Sequence, residues 1–302
     1  MAGDQDEKAA RGERAAQREK VARGERAAQE EKAARGERAA QEEKVAEEAK
    51  VAQAGGGTFL PPSIEAVWGL RERPTKGPKP GLSLDRIVAA AVALASAEGL
   101  AAVSMGRVAK ELGVSTMSLY RYVSAKNELY VLMQEAATGA PPEGLVDPEG
   151  DWRTGLERVA WALREIYRRS PWLLRVPVSG PPSTPNGVAW WEQLLLAMAG
   201  TGLDAGEKLA VTLLVSGFVK NDALMMVELT EAVEAAGAEP HEAMLQYSRT
   251  LRRLVDPVAF PEVAKVMDSG ILDQADGPDD DFRFGLARIL DGVAALVEGR
   301  AS

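Results

Sequence analysis

Apolar residues recur every three or four positions from Ser83 to the carboxyl end of the chain. This spacing gathers them on one face of an amphipathic helix, and no segment shows the alternation of a half-buried strand. We therefore predict an all-α chain. The predicted helices cover residues 83–99, 104–113, 115–123, 124–136, 152–167, 188–199, 204–236, 241–255, 260–268 and 280–298.

The sequence lacks the residue types on which many enzymes depend. It contains no Cys and a single His, His241, which excludes disulfides, thiolate or histidine metal clusters and cysteine nucleophiles. No glycine-rich phosphate loop follows a strand, and the run 279–281 of three Asp is better explained as the first turn of a helix, where it complements the helix dipole. We expect no enzyme activity, catalytic residue, metal or cofactor.

No run approaches the roughly 18 apolar residues that a membrane span requires. The amino end also lacks a positively charged region followed by an apolar core. A soluble cytoplasmic protein is expected.

Composition divides the chain into four segments. The first is a repetitive charged tail, disordered or partly helical, whose 12-residue period fits neither a heptad nor an 11-residue coiled-coil repeat. A Gly- and Pro-rich linker with a basic arm follows, and this arm either tracks a minor groove or is merely solvated. A helix-turn-helix unit and a helical regulatory bundle complete the chain. The segments are residues 1–54, 55–81, 82–137 and 138–302.

The formal net charge of −9 would argue against nucleic-acid binding if the acidic side chains were spread evenly along the chain. They are not. Residues 139–302 carry 25 acidic and 15 basic side chains, whereas residues 82–138 carry five of each. Charges act on phosphates mainly within a Debye length of roughly 8 to 10 Å. The acidity of the carboxyl part therefore leaves DNA binding by the earlier segment open.

Residues 104–123 have the pattern of a helix-turn-helix. Ala109 is small where two helices would cross, and Gly113 can take the positive φ that a sharp interhelical turn requires. The helix from Ser115 would then bury Leu119 and project its other side chains into a major groove about 12 Å wide. An ordinary helical hairpin in an all-α core is the alternative. The side chains predicted to project outward are Thr116, Ser118, Arg121 and Tyr122.

The stretch from Leu119 to Leu129, Leu-Tyr-Arg-Tyr-Val-Ser-Ala-Lys-Asn-Glu-Leu, resembles the signature of the TetR family of transcription regulators. The resemblance implies an operator-binding homodimer, and we predict a repressor that a small, largely apolar ligand releases from DNA. It implies that Tyr120 and Lys126 hold phosphates and that Arg107 makes a further phosphate or base contact. Arg121 is the strongest candidate for base readout, because short side chains such as Ser115 cannot fork onto a guanine. The predicted DNA-binding residues are Arg107, Ser115, Thr116, Ser118, Tyr120, Arg121, Tyr122 and Lys126.

Aromatic and Met side chains of the carboxyl part suggest a ligand pocket. Core packing is the expected role of most of them, but Asn221 places an amide inside an apolar stretch, and pockets combine apolar walls with a few polar groups. The predicted ligand-binding residues are Trp161, Trp190, Trp191, Phe218, Asn221 and Met225.

The last helix carries Gly285 and Gly292 beside an apolar stripe. The stripe serves either packing within the chain or a two-fold bundle between two copies, and we favour the homodimer. The competing function is a helical adaptor that uses its charged tail and does not bind DNA. Such an adaptor predicts no salt-dependent DNA affinity, whereas a regulator predicts a steep dependence.

Overall fold

The computed structural model describes residues 61–70, 81–178, 180–237, 239–273, 277 and 279–301. All regular structure among these residues is helical, which confirms the all-α prediction. The repetitive tail and the basic residues of the predicted arm, 71–79, lie outside the described residues. The helices are α1 (Pro62–Val67), α2 (Leu84–Glu98), α3 (Met105–Glu111), α4 (Thr116–Leu119), α5 (Lys126–Thr138), α6 (Trp152–Arg169), α7 (Pro185–Ala197), α8 (Ala205–Ala235), α9 (Pro240–Leu254), α10 (Pro261–Asp268) and α11 (Asp280–Ala301).

Helices α2 to α5 form the N-terminal unit, which we call the head. Ser83 caps α2 by accepting a hydrogen bond from the Arg86 amide at 3.3 Å. The apolar faces of α2 and α5 meet in a core in which Ile87, Leu129 and Met133 are fully buried. The amphipathic pattern of these two helices therefore fixes the frame on which the shorter α3 and α4 are mounted.

Helix α1 was not expected, because residues 55–81 read as a linker. Pro62 occupies the first helical turn, where its missing N–H costs nothing, and the short helix buries Ile64 to 3% exposure. The Ser63 hydroxyl donates to the buried Glu128 carboxylate of α5. The Trp68 indole N–H donates to the Ser183 carbonyl at 2.8 Å. The linker prediction is thus wrong for 62–67, which pack against the head.

Helices α6, α7, α8 and α11 build the C-terminal bundle. Asp151 caps α6 by accepting from the Thr154 amide at 2.8 Å. Asp204 and Glu207 form a reciprocal capping box at the start of α8. The bundle buries apolar side chains from every one of these helices, and its fully or almost fully buried members include Leu156, Val159, Met198, Val215, Val219, Phe282 and Leu290.

The 31-residue helix α8 is long and apolar enough to cross a membrane by length and composition, although no uninterrupted apolar run in the sequence indicates a span. Only 28% of its most apolar window is buried within one chain. Large side chains remain exposed along it, among them Leu213 at 73% and Met225 at 53%. This helix therefore presents an apolar face that the described chain does not cover.

The two glycines of α11 have different surroundings. A Cβ added to Gly285 would lie 2.6 Å from the Phe218 ring of the same chain, so this glycine serves packing between α8 and α11 within one chain. A Cβ added to Gly292 would meet nothing within 4 Å. Of the two, only Gly292 leaves room for another helix to approach.

Candidate DNA-binding surface and ligand cavity

The turn between α3 and α4 is a Schellman motif centred on Gly113. Gly113 has φ +68°, the Val114 amide donates to Ala109 O at 3.0 Å, and the Gly113 amide donates to Lys110 O at 3.1 Å. This pair of bonds satisfies two carbonyls at the end of α3, and only glycine adopts the positive φ without strain. The sequence correctly placed the turn, and its geometry directs the chain sharply into α4.

Helix α4 is shorter than predicted. It spans Thr116–Leu119, and a turn follows in which the Val123 amide still donates to Leu119 O at 3.0 Å. Leu119 and Val123 are fully buried and lock this segment onto the head. Because these two residues form the inner face of the segment, its remaining side chains lie at or near the surface.

Four of the predicted DNA-binding side chains are exposed in this region: Ser115, Tyr120, Arg121 and Lys126. Among the described residues no hydrogen bond or ion pair engages Arg121, so its five donors are available to an external partner. The Lys126 ammonium lies 5.2 Å from the centre of the Tyr130 ring, which restrains it at the first turn of α5. Thr116 and Ser118 are half-buried, and the Ser118 hydroxyl lies 2.9 Å from that of Ser115.

Two predicted contacts are already engaged within the chain. The Tyr122 hydroxyl donates to Leu82 O at 3.0 Å and the side chain is half-buried, so the outward orientation predicted for Tyr122 is wrong. Its ring instead ties the end of the α4 segment to the start of α2. Arg107 is at the surface but pairs with Glu98 at 2.6 Å. Exposed pairs of this kind contribute less than about 1 kcal/mol, so a phosphate can replace the carboxylate.

Sequence reasoning overlooked Met117 and Lys110. Met117 is 73% exposed at the centre of α4, where an apolar side chain can contact a thymine methyl group. Lys110 is exposed in the last turn of α3. The signal for Met117 was present in the sequence, because only Leu119 of this short helix is needed to fill the core.

A cavity of about 350 Å³ lies between α6 and α8, and we call it the bundle cavity. Its walls combine the Trp161 ring with apolar side chains of α8, and Arg164 and Tyr167 supply polar groups. The remaining lining residues are Glu165, Arg168, Ala223, Met226, Val227 and Asp279.

Arg164 is fixed by two carboxylates. Its guanidinium donates to Asp222 at 3.0 Å and to Asp279 at 2.5 Å, and it lies 4.5 Å from the centre of the Phe282 ring. Burial, the largest single influence, lowers the pKa of Arg164, but the hydrogen bonds to Asp279 and Asp222 together raise it above its ordinary value. The bundle cavity is therefore bordered by a rigid, permanently charged group.

The predicted ligand-binding residues are not brought together. Trp161 lines the bundle cavity, whereas Phe218 stacks on Phe282 with ring centres 5.5 Å apart. The buried Trp190 donates its indole N–H to Gly139 O at 2.8 Å, which ties α7 to the end of α5. Asn221 and Met225 lie on the exposed face of α8.

Phe218 and Trp190 thus serve packing within the chain, which is the alternative role considered for these aromatic residues. Trp191 is half-buried and does not line the bundle cavity. The polar groups of the cavity come instead from α6. An amide inside an apolar run suggested Asn221, but the structure places this side chain on the exposed face of α8.

A larger cavity of about 660 Å³ opens between the end of α2 and the 3-10 turn Pro171–Arg175. Charged side chains of Arg169, Arg175 and Glu231 share its walls with apolar groups. Arg175 already pairs with Glu231 at 3.0 Å and with Glu228 at 3.2 Å. These pairs make it a less suitable site for an apolar ligand than the bundle cavity.

A small head with a tight helix-turn-helix, joined to a helical bundle that encloses a cavity, defines the class of helix-turn-helix regulators with a separate regulatory domain. The chain belongs to the TetR family of bacterial transcription regulators. The sequence profile described as "Bacterial regulatory proteins, tetR family" matches residues 87–133, and the profile "Tetracyclin repressor-like, C-terminal domain" matches residues 146–297. The resemblance noted in the sequence is confirmed, and the protein is a DNA-binding transcriptional regulator.

Named relatives of the chain are also helix-turn-helix regulators of transcription. The HTH-type transcriptional repressor DrrR1 of Streptomyces coeruleorubidus is 39% identical over 240 residues, which cover 79% of this chain and 87% of DrrR1. An HTH-type transcriptional regulator of Saccharopolyspora erythraea is 31% identical over 154 residues, covering 51% of this chain and 64% of that protein.

Solved structures of ActR from Streptomyces coelicolor have a similar fold. Apo ActR superimposes with a TM-score of 0.59 at 26% identity, covering 74% of this chain and all of ActR. ActR in complex with actinorhodin gives a TM-score of 0.61 at 27% identity, covering 72% of this chain and 97% of that one.

Proposed function

We propose that the protein is a homodimeric repressor whose heads bind a pseudo-palindromic operator and release it when an aromatic effector occupies the bundle cavity. The observation that carries the DNA half of the proposal is the segment after Gly113, whose inner face is fully buried and whose Arg121 has no partner among the described residues. Two such segments in a dimer would enter successive major grooves about 34 to 36 Å apart.

Individual contacts follow from the exposure of each side chain. Arg121 reads a base, because its planar fork can donate two hydrogen bonds to one guanine. Lys126, at the amino end of α5, binds a phosphate together with the free backbone donors of that helix. Tyr120 and Arg107 add phosphate contacts, and the exposed Met117 contacts a base methyl group.

The homodimer is supported by the uncovered apolar face of α8 and α11. Leu213, Leu214 and Leu296 are exposed, and a Cβ at Gly217 or Gly292 would meet nothing within 4 Å. Apolar helices with small residues can approach a symmetric copy closely. This assignment uses the apolar surface of α8 for association with a second copy and agrees with a soluble cytoplasmic regulator.

The effector half is supported by the walls of the bundle cavity. The Trp161 ring and Met226 offer flat and adaptable apolar contacts, while Arg164 and Tyr167 offer hydrogen bonds at the edge. A planar aromatic ligand with peripheral oxygens matches this lining. The ActR complex with actinorhodin supports the same ligand class.

The test of DNA binding is a fluorescence-anisotropy titration of the full chain against the DNA upstream of its own gene over a salt series. We expect Arg121→Ala to weaken specific binding by about 1 to 3 kcal/mol, roughly 5- to 150-fold, and Lys126→Ala to lower the salt slope by about 1. Arg253→Ala, an equal charge change on exposed α9, is the matched control and should leave affinity unchanged.

Two outcomes would contradict the proposal. Wild-type affinity no greater than that for scrambled DNA would refute operator recognition, and equal losses from Arg121→Ala and Arg253→Ala would refute the assigned reading residue. The dimer is tested separately by sedimentation equilibrium of Leu213→Glu. This variant should be monomeric while it keeps its helical content, and an unchanged dimer would exclude this face.

A further inference from the structure

Tyr167 lies between two cavities. It lines the bundle cavity and also a neighbouring cavity of about 310 Å³, and it is the one described residue that the two linings share. We call the neighbouring space the loop cavity, because it lies between α5 and the described residues that lead into α7, 177–178 and 180–184. Ligand cavities usually measure about 300 to 1,000 Å³, so each space alone is at the small end of the range.

The two cavities differ in chemistry. The bundle cavity is walled mainly by Trp161 and apolar side chains, whereas the loop cavity presents Gln134, Glu135, Ser183 and Thr184. Its connection also contains three lining prolines, which have carbonyl acceptors but no N–H donors. The loop cavity is therefore lined by hydroxyl, amide and carboxylate groups that can hydrogen-bond to a hydroxyl-rich substituent. The Glu135 carboxylate in this lining disfavours an anion.

The Tyr167 hydroxyl is available to a ligand. The structure gives it no hydrogen bond within the described part of the chain, although most of the side chain is covered. Burial raises the pKa of Tyr167, so the phenol remains protonated at neutral pH and can donate. The hydroxyl itself is not among the fully buried polar atoms, so a ligand oxygen at the boundary between the cavities can reach it and accept its proton in a hydrogen bond.

The loop cavity also borders the contact between the two domains. Both Glu135 carboxylate oxygens accept from the Asn186 amide at 3.0 Å, and the Asn186 side chain donates to Glu135 O at 3.0 Å. Glu135 belongs to α5, the helix that begins at Lys126 in the proposed DNA surface. A group bound in the loop cavity would therefore act directly on the junction of α5 and α7.

We propose that the loop cavity is the second half of the effector site and takes a hydroxyl-rich substituent, such as a sugar, of a ligand whose planar aromatic part fills the bundle cavity. The Tyr167 ring turns aside to join the two spaces, and its hydroxyl donates to the ligand where it crosses. This inference rests on the proposed function, since it extends the same effector site.

The test uses emodin, a planar hydroxyanthraquinone, and its 8-O-glucoside, titrated calorimetrically into the full chain. The wild type should bind the glucoside about tenfold more tightly than emodin, the gain expected from one or two well-made hydrogen bonds. Thr138→Phe, which fills the loop cavity, should abolish this preference and leave emodin binding unchanged. Tyr167→Phe keeps the ring and removes the hydroxyl, and it should weaken glucoside binding by roughly five- to tenfold.

Ala140→Phe is the matched control, because it adds the same ring at an exposed position that lines neither cavity. Equal affinity of the wild type for the two probes, equal weakening of both by Thr138→Phe, or failure of both to bind would overturn the inference. Operator affinity is measured in the same preparation without probe. Intact operator binding beside either of the first two results rejects the loop cavity alone. Failure of both probes to bind would also count against an aromatic effector in the bundle cavity, and loss of operator binding would count against the DNA half of the proposed function.

Discussion

Replacing Gly113 with Ala tests whether the left-handed residue of the Schellman turn limits the stability of the head. Gly113 has φ +68°, and a Cβ built there meets nothing within 4 Å. No clash contributes, so the cost is that of placing an L residue in the left-handed region, about 1 to 2 kcal/mol. The smaller conformational entropy of Ala in the unfolded chain offsets part of this cost, by about 0.4 to 1 kcal/mol. We expect Gly113→Ala to lower the free energy of unfolding by about 1 kcal/mol.

Gly106 provides a matched control seven residues earlier in the same motif. It lies in the first turn of α3, it is exposed, its φ is not positive, and an added Cβ again meets nothing within 4 Å. Because glycine costs a helix about 0.5 to 1 kcal/mol relative to Ala, Gly106→Ala should stabilise the protein by a similar amount. The same substitution of Gly by Ala should therefore lower the free energy of unfolding at position 113 and raise it at position 106.

Thermal unfolding followed by far-UV circular dichroism measures both variants at one fixed protein concentration, since association makes Tm depend on concentration. A change of 1 kcal/mol shifts the Tm of a unit of this size by roughly 2 to 4 °C. The two variants should thus differ by about 5 °C, with Gly113→Ala the lower. Equal shifts of the same sign, or a Gly113→Ala protein at least as stable as the wild type, would refute the reasoning from backbone conformation.

Three further predictions concern contacts elsewhere. The hydrogen bond from the Thr154 amide is the largest influence on Asp151 and lowers the pKa of its carboxyl below the ordinary value. The stabilisation by this cap is therefore fully present above about pH 4 and declines as pH falls through the lowered pKa. In urea unfolding, Asp151→Ala should cost about 1 kcal/mol at pH 7 and less at pH 3. Arg164→Met leaves the nearly buried Asp222 without this guanidinium and should destabilise by about 3 kcal/mol, while the double variant with Asp222→Asn should recover part of that loss; no recovery would contradict the pairing. Ile64→Ala should cost about 2 kcal/mol if α1 is an integral part of the fold, and an unchanged urea midpoint would show that it is not.

The sequence was most informative where a local rule and burial agreed. Ser83, Gly113 and the pair of Asp204 and Glu207 mark helix ends through backbone hydrogen bonds that depend on a few neighbouring residues. Such signals can be recognised in the sequence without knowledge of the tertiary structure. The apolar period then predicts which face is buried, and Leu119 is buried as expected.

The errors arose where a role depends on which element lies opposite. Tyr122 has the spacing of an outward residue, but its hydroxyl meets a carbonyl 40 residues earlier in the chain. Asn221 is polar within an apolar run, yet its own side chain lies on the exposed face of α8 and does not line the bundle cavity. Tyr167, whose hydroxyl has no partner in the described part of the chain, has no distinguishing signal in the sequence, because an aromatic residue in an amphipathic stripe is typical of ordinary core. Nothing local to these residues distinguishes the alternatives.

Helix α5 is held by contacts near both of its ends, and those at its carboxyl end join the head to the C-terminal bundle. Near its start, Glu128 accepts from Ser63 of α1, and Lys126 lies at the proposed DNA surface. Toward its end, Glu135 holds Asn186, and Gly139 O just beyond α5 accepts from Trp190. A rigid helix held at both ends transmits a tilt rather than a local deformation.

A ligand shifts the equilibrium between two tilts of α5 only if it binds the protein in one of these tilts better than in the other. The contacts of α5 with α7 adjoin the loop cavity, whereas the bundle cavity lies between α6 and α8 and does not touch α5. An effector confined to the bundle cavity must therefore act through α6, while one that reaches past Tyr167 acts on α5 itself. It follows that the hydroxyl-rich substituent, rather than the aromatic core, should determine how strongly an effector releases the operator, even between ligands of equal affinity.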